Sequence, residues 1–170
     1  PGSDFAGVHW FANEHEMLDD ESIVAIASEG LNAESLDQTE TIIATGKHVW
    51  YDKPSGDDLT HWQRVADLAE ENDLFIQMGY MFRYNDGFAR IAEWARSGYL
   101  GNVFSVRAHM STNVGADSHA RLAKHQGAIL YDLGGHVLDQ VVWILGRPNK
   151  AIAFLREDVT KTDGFANNTL

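Results

Sequence analysis

The chain of 170 residues has no cysteine, which excludes disulfides, thiolate metal sites and cysteine nucleophiles. Basic residues are scarce: 13 Lys and Arg stand against 25 Asp and Glu, for a formal net charge of −12. No two of them adjoin, and duplex binding rests on clustered cations that neutralise phosphates, so no nucleic-acid partner is expected. Long apolar runs are also missing, whereas a spanning helix needs roughly 18 to 20 such residues, so no membrane partner is expected. The opening PGSDFAG has neither the basic nor the apolar part of a signal peptide, and the expected location is cytoplasmic. The 15 glycines are never two positions apart, which excludes Gly-x-Gly-x-x-Gly, and no Walker loop, His-Glu-x-x-His or Gly-x-Ser-x-Gly occurs. What is present, 44% hydrophobic and 22% charged residues, is the composition of a globular protein rather than a disordered one.

The patterning changes partway along. Residues 23–27 form a short β-branched run that predicts a buried strand. Residues 32–45 read as a helix ended by Gly46, and residues 48–51 as a second strand stopped before Pro54. Asp57 or Asp58 is placed to cap the next helix, whose Leu59, Trp62, Val65, Ala66, Leu68 and Ala69 keep helical spacing. Residues 74–78 read as a third strand. Strand, helix, strand, helix, strand with short links predicts a parallel sheet with right-handed crossovers.

Beyond Tyr84 the pattern becomes a helix over 87–97 ended by Gly98, then an alternating stretch over 103–110 that predicts a strand with one face in the core. Residues 111–127 read as a long loop, 129–145 as a strong helix closed by Gly146-Arg147-Pro148, and 151–156 as a further strand. The seam falls near 84–87, giving domains of 1–84 and 85–170 in an α/β fold. Both ends look cut, and the chain is expected to be incomplete at its N and C termini.

Three constellations carry possible chemistry. In the helix over 129–145, Asp132, His136, Asp139 and Trp143 share one stripe, with Leu130, Leu133, Val137, Val141 and Ile144 roughly opposite, facing the core. Asp132 and His136 are four apart, a carboxylate beside an imidazole, which makes either an acid/base pair or an incidental pair on a solvated face. Lys53 sits between Asp52 and Pro54 at the carboxyl end of a predicted strand, where ligands of open α/β sheets bind; a surface lysine in a turn is the plainer reading. Tyr80, Phe82, Arg83 and Tyr84 are either an anion clamp or a packing cluster. His119, Arg121, Lys124 and His125 lie in the long loop and either line a pocket or are solvated.

Taken in order, these residues resemble the Gfo/Idh/MocA family of oxidoreductases. Gly46-Lys47-His48-Val49-Trp50-Tyr51-Asp52-Lys53-Pro54 resembles its A-G-K-H-V-x-x-E-K-P segment, and Met78-Gly79-Tyr80-Met81-Phe82-Arg83-Tyr84 its G-x-x-x-R-F segment. Ser97-Gly98-Tyr99-Leu100-Gly101-Asn102-Val103 is similar to s-G-x-l-G-x-i/v. The run from Gly127 to Asp139, GAILYDLGGHVLD, is similar to G-G-x-l-x-D-x-G-x-H-x-x-D, and Leu145-Gly146-Arg147-Pro148 to the l-G-x-P that follows. Three departures stand out. Asp52 replaces a Glu. Ser28-Glu29-Gly30 replaces T-P-N, with Ala33 where a His usually follows. Asp86 stands near a usual Pro.

The resemblance implies a partial Rossmann parallel sheet followed by part of an α/β domain with a large, mostly antiparallel open sheet. It implies hydride transfer between NAD or NADP and a secondary hydroxyl or carbonyl of a sugar, polyol or related small molecule. By that resemblance Lys53, Asp132 and His136 are catalytic, and Ser28, Glu29, Gly30, Asp52, Lys53 and Pro54 meet the cofactor. Tyr80, Arg83, His109 and Asp139 are expected on the substrate side, no metal is expected, and a homodimer or homotetramer is implied. Two alternatives were weighed: a cofactor-binding regulator on the same fold without turnover, and a divalent-metal hydrolase or isomerase using Asp132, His136 and a loop histidine.

Overall fold

A computed structural model describes residues 5–30, 34–112, 115–122, 130–154, 156–157 and 164–165; for 116, 119, 121, 156, 157, 164 and 165 only the backbone is described. The chain divides into two compact units. The first comprises Pro1–Tyr51 and Asp58–Gln77, the second Asp52–Asp57 and Met78–Leu170.

In the first unit α1 (Glu14–Leu18) precedes β1 (Ala25–Ser28), α2 (Ser35–Ala44), β2 (His48–Tyr51), α3 (Leu59–Glu71) and β3, which begins at Ile76 and ends at Met78. The strands form a parallel sheet in the order β1-β2-β3, with Ile26 opposite Val49 and Ser28 opposite Tyr51. Central β2 alternates: Val49 and Tyr51 are 2% and 0% exposed, while Trp50 is 37% exposed. Against them α2 buries Leu36, Thr39, Ile42 and Ile43, and α3 buries Val65 and Ala69. Each large aliphatic so buried stabilises by about 1.5–3 kcal/mol.

Local signals set the element ends. Asp58 Oδ1 caps α3, accepting from the backbone N–H of Thr60 at 2.8 Å and of His61 at 3.0 Å. Gly46 follows α2 with φ +78°, a conformation that a side chain would strain. Next to it, buried Lys47 donates from Nζ to the carbonyls of Asp20 and Ile23, both at 2.8 Å, tying down the approach to β1.

The second unit holds a 3-10 turn (Met81–Tyr84), α4 (Asp86–Arg96), α5 (Ala116–Leu122), a π turn (Leu130–Gly134), α6 (Gly135–Leu145), β4 (Arg156–Glu157) and β5 (Gly164–Phe165). Asn85 Oδ1 caps α4 through the N–H groups of Gly87 and Phe88. Gly146, with φ +83°, ends α6. Among the described residues, no helix is long and apolar enough to cross a membrane.

Several expectations need correction here. The alternating stretch 103–110 forms no strand, and Phe104 is 93% exposed. Alternation shows which side chains could share a face, but a strand also needs a neighbour for its N–H and C=O groups, and no described strand provides one. The expected loop over 111–127 contains α5, whose Leu122 is buried. The expected strand over 151–156 reaches a ladder only at Arg156, and Ile152 and Phe154 are 51% and 67% exposed. Antiparallel pairing among the described residues is confined to β4 and β5, Arg156 opposite Phe165 and Glu157 opposite Gly164.

The helix expected over 129–145 is α-helical only from Gly135, and its burial is inverted. His136 and Gln140 are its buried residues, Val137, Val141 and Ile144 are half-buried, and Leu138, Val142 and Leu145 are exposed. The rings of Tyr80 and Phe82 pack against His136, so periodicity found the two faces but not which one is packed.

Candidate active site

Lys53 leaves the end of β2 in the short segment Asp52–Asp57, with Asp52 half-buried and Pro54 buried beside it. Its ammonium reaches the π turn, donating to Asp132 Oδ1 at 2.7 Å and to the Asp132 main-chain carbonyl at 3.0 Å. The two side chains are 13% and 22% exposed. Two of three ammonium donors are thereby used, and the third has no partner among the described residues. The widened π turn carries Asp132 toward Lys53, and single π turns recur at functional sites.

His136 lies in the first turn of α6 and is 7% exposed. Tyr80 meets its ring edge-on at 6.1 Å between centroids, and Phe82 at 5.1 Å. Burial, then the Lys53 charge, holds the imidazole below its ordinary pKa, against the opposing pull of Asp52, Asp132 and Asp139. The ring is therefore neutral near pH 7. The spacing suggested a carboxylate favouring the imidazolium; instead Asp132 is turned to Lys53, and its charge offsets only part of the burial.

Asp139 is buried to 8% exposure of its side chain and gripped by Arg83. Arg83 Nε lies 3.1 and 2.9 Å from the two carboxylate oxygens, and Nη2 lies 2.6 Å from Oδ1. That fork raises the guanidinium pKa further. The Arg83 and Arg96 guanidinium groups lie 5.7 and 5.9 Å from the centre of the Trp143 ring. Burial, then the Asp139 charge, pushes the Tyr80 hydroxyl up, so it stays protonated. Tyr131 is pushed up to about 12 by burial and then by Asp57.

The second unit thus brings together Lys53, Asp132 and His136, with Tyr80, Arg83 and Asp139 around them. His109 is exposed, and no contact among the described residues joins it to this cluster. Ser28, Glu29 and Gly30 lie in the first unit at the end of β1. There Ser28 Oγ donates to Gln38 Oε1 at 3.2 Å, and a Cβ on Gly30 would stand 2.7 Å from that same oxygen. The side chains of His119 and Arg121, and all of Ala33, Lys124 and His125, lie outside the described residues. Among the described residues no group of three or more His, Asp or Glu side chains is placed to hold a metal ion. Sequence reasoning passed over Tyr131 and Gln140; the only sign of Gln140 was its position four residues after His136.

Residues 88–169 match the GFO/IDH/MocA C-terminal domain. The chain is 27% identical over 112 residues to the rhizopine catabolism protein MocA of Rhizobium meliloti, covering 66% of this chain and 35% of that protein. It is 24% identical over 151 residues to the scyllo-inositol 2-dehydrogenase (NADP(+)) IolW of Bacillus subtilis (strain 168), covering 85% and 41%. An oxidoreductase from Bacillus cereus shares the fold with a TM-score of 0.76 at 21% identity, over 96% of this chain and 46% of its own. The chain spans less than half the length of these relatives. With the motifs that run from Gly46 to Pro148, the domain match over residues 88–169 and these relatives make the chain similar to members of the Gfo/Idh/MocA family of oxidoreductases.

Proposed function

We propose that the full-length protein transfers a hydride between NAD or NADP and a secondary hydroxyl or carbonyl of a sugar, polyol or related small molecule. One observation carries the reading: Lys53 is anchored to Asp132 with an ammonium donor to spare, in the same unit as a neutral His136. Oxidising an alcohol needs a cation to favour the developing alkoxide and a base to take the hydroxyl proton. Those two groups have that chemistry, so the residues present fit a nicotinamide partner, whose part when bound is to accept or return the hydride.

In this reading Lys53 binds the reacting oxygen and His136 Nε2 takes its proton. Asp132 fixes the ammonium, and so sets where that oxygen lies. Arg83, by clamping Asp139, and Tyr80, as a protonated hydroxyl donor, shape the substrate side together with His109. Ser28, Glu29 and Gly30 beyond β1, and Asp52, Lys53 and Pro54 beyond β2, are assigned to the cofactor by their positions at strand ends. The same reading makes the protein a cytoplasmic homodimer or homotetramer built on an open, mostly antiparallel sheet.

The test is nucleotide reduction by the full-length protein, followed by absorbance, with NAD and NADP against a panel of polyols and sugars. Turnover on at least one substrate, lost in Lys53→Met and His136→Asn, is expected. Nucleotide binding with no turnover on any substrate would leave a ligand-sensing regulator in its place.

A further inference from the structure

His136 and Gln140 are the two buried residues of α6, each 7% exposed. His136 Nδ1 and both amide atoms of Gln140, Oε1 and Nε2, have no hydrogen-bond partner among the described residues. A buried polar atom left without a partner is costly, so their grouping on one helix calls for an account. The residues are four apart and therefore adjoin on one face of α6. Helical side chains lean toward the N-terminus of their helix, so the Gln140 amide leans back over the turn that carries His136.

An imidazole that is to accept a proton at Nε2 carries its own proton on Nδ1, and that N–H needs an acceptor. The neighbouring carboxylates are otherwise engaged: Asp132 by Lys53, and Asp139 by Arg83. Tyr80 and Phe82 meet the ring with their edges. The amide oxygen of Gln140, on the same face and without a partner among the described residues, is the acceptor not already committed to a cation.

We propose that Gln140 is the positioning residue of His136, its Oε1 accepting a hydrogen bond from Nδ1–H so that Nε2 is left as the basic nitrogen. The bond is made when the Gln140 side chain turns toward Nδ1, and such bonds often tighten only when substrate is in place. A neutral acceptor suits the task better than a carboxylate. It selects the tautomer without stabilising the imidazolium, and so leaves the base unprotonated near neutral pH. The inference rests on His136 being the proton acceptor of the proposed reaction.

Nitrogen NMR of the full-length protein labelled with ¹⁵N-histidine tests it, with the His136→Asn spectrum identifying the signal among the eight histidines. In the wild type above pH 8, Nδ1 is expected to be protonated and Nε2 bare. In Gln140→Leu the ring is expected to revert toward the Nε2–H form that free imidazole prefers. Gln140→Glu is expected to keep Nδ1–H while raising the pH at which the ring titrates, and to move the acid limb of kcat/KM upward with it. A wild-type ring protonated on Nε2 overturns the proposal whether or not either variant folds, and so does an unchanged pattern in Gln140→Leu. The spectrum needs no turnover. A protein inactive on every polyol would sink the proposed reaction and leave the tautomer to be judged separately.

Discussion

Lys53 holds Asp132 at two points, a carboxylate oxygen at 2.7 Å and the main-chain carbonyl of the same residue at 3.0 Å. Two anchors on one residue fix the ammonium in direction as well as in distance. Lys53→Met is therefore expected to lower kcat by about 10²–10³, the usual cost of losing one donor to a developing oxyanion. Lys53→Arg is expected to recover little, because a planar fork cannot reproduce the two-point grip of a compact ammonium. Steady-state kinetics together with a nucleotide-binding titration decide this; a variant that loses nucleotide binding and keeps kcat would contradict the assignment.

His136 gives the chain a stability that depends on pH in a stated direction. Its pKa is lower in the folded protein than the ordinary 6.5, mainly through burial and the Lys53 charge. As pH falls below about 6.5 the unfolded imidazole gains a proton more readily than the folded one, so stability declines. His136→Leu is expected to remove that part of the acid-side slope in urea unfolding measured from pH 7.5 to 5. In the proposed oxidation, the acid limb of kcat/KM is expected below pH 6.5.

Arg83 supports a carboxylate that is 8% exposed, while its own side chain is 40% exposed. Arg83→Ala leaves Asp139 without its fork, at a cost of roughly 1–3 kcal/mol once the exposure of the arginine is allowed for. Arg83→Ala combined with Asp139→Asn is expected to recover part of that loss, because the stranded charge is gone. Thermal unfolding of the two single variants and the double variant closes the cycle, and strict additivity would mean that the fork has no energetic role.

Lys47 is a buried cation, and its ammonium serves the carbonyls of Asp20 and Ile23. Lys47→Met keeps the length of the stem and removes both donors. The expected destabilisation is roughly 2–3 kcal/mol by urea unfolding, with hydrogen exchange quickening first around Ile23 and β1.

How much of this was legible in the sequence depended on whether the cause was local. β2, a cap at Asp57 or Asp58 and the stops at Gly46, Gly98 and Gly146 are all set by residues within a turn of where they act and are legible in the sequence, and the structure gives the cap to Asp58. The stretch 103–110 was misread because pairing depends on a distant neighbour that alternation does not report. The stripe of Asp132, His136 and Asp139 was visible from helical spacing, but its burial was not, since that depends on where Tyr80 and Phe82 swing their rings. Arg83 was seen as a possible anion clamp, and the anion that fills its fork belongs to the chain itself. Gln140 could not be found by residue type at all; only the loss of its partners inside the fold draws attention to it.

The wide turn at Leu130–Gly134 gives the backbone at Asp132 a course that ordinary α-helical coiling would not. In an uninterrupted α-helix, positions 132 and 136 would differ by only about 40° around the axis, and the carboxylate would sit over the imidazole. Loosening that stretch lets the acidic group point at one cation while the ring stays in phase with the rest of its own rod. Regular α-helical coiling through that stretch would bring the two groups nearer and make the imidazolium harder to deprotonate. The proton affinity of the centre thus depends on how the backbone coils before it, with every reacting side chain left as it is.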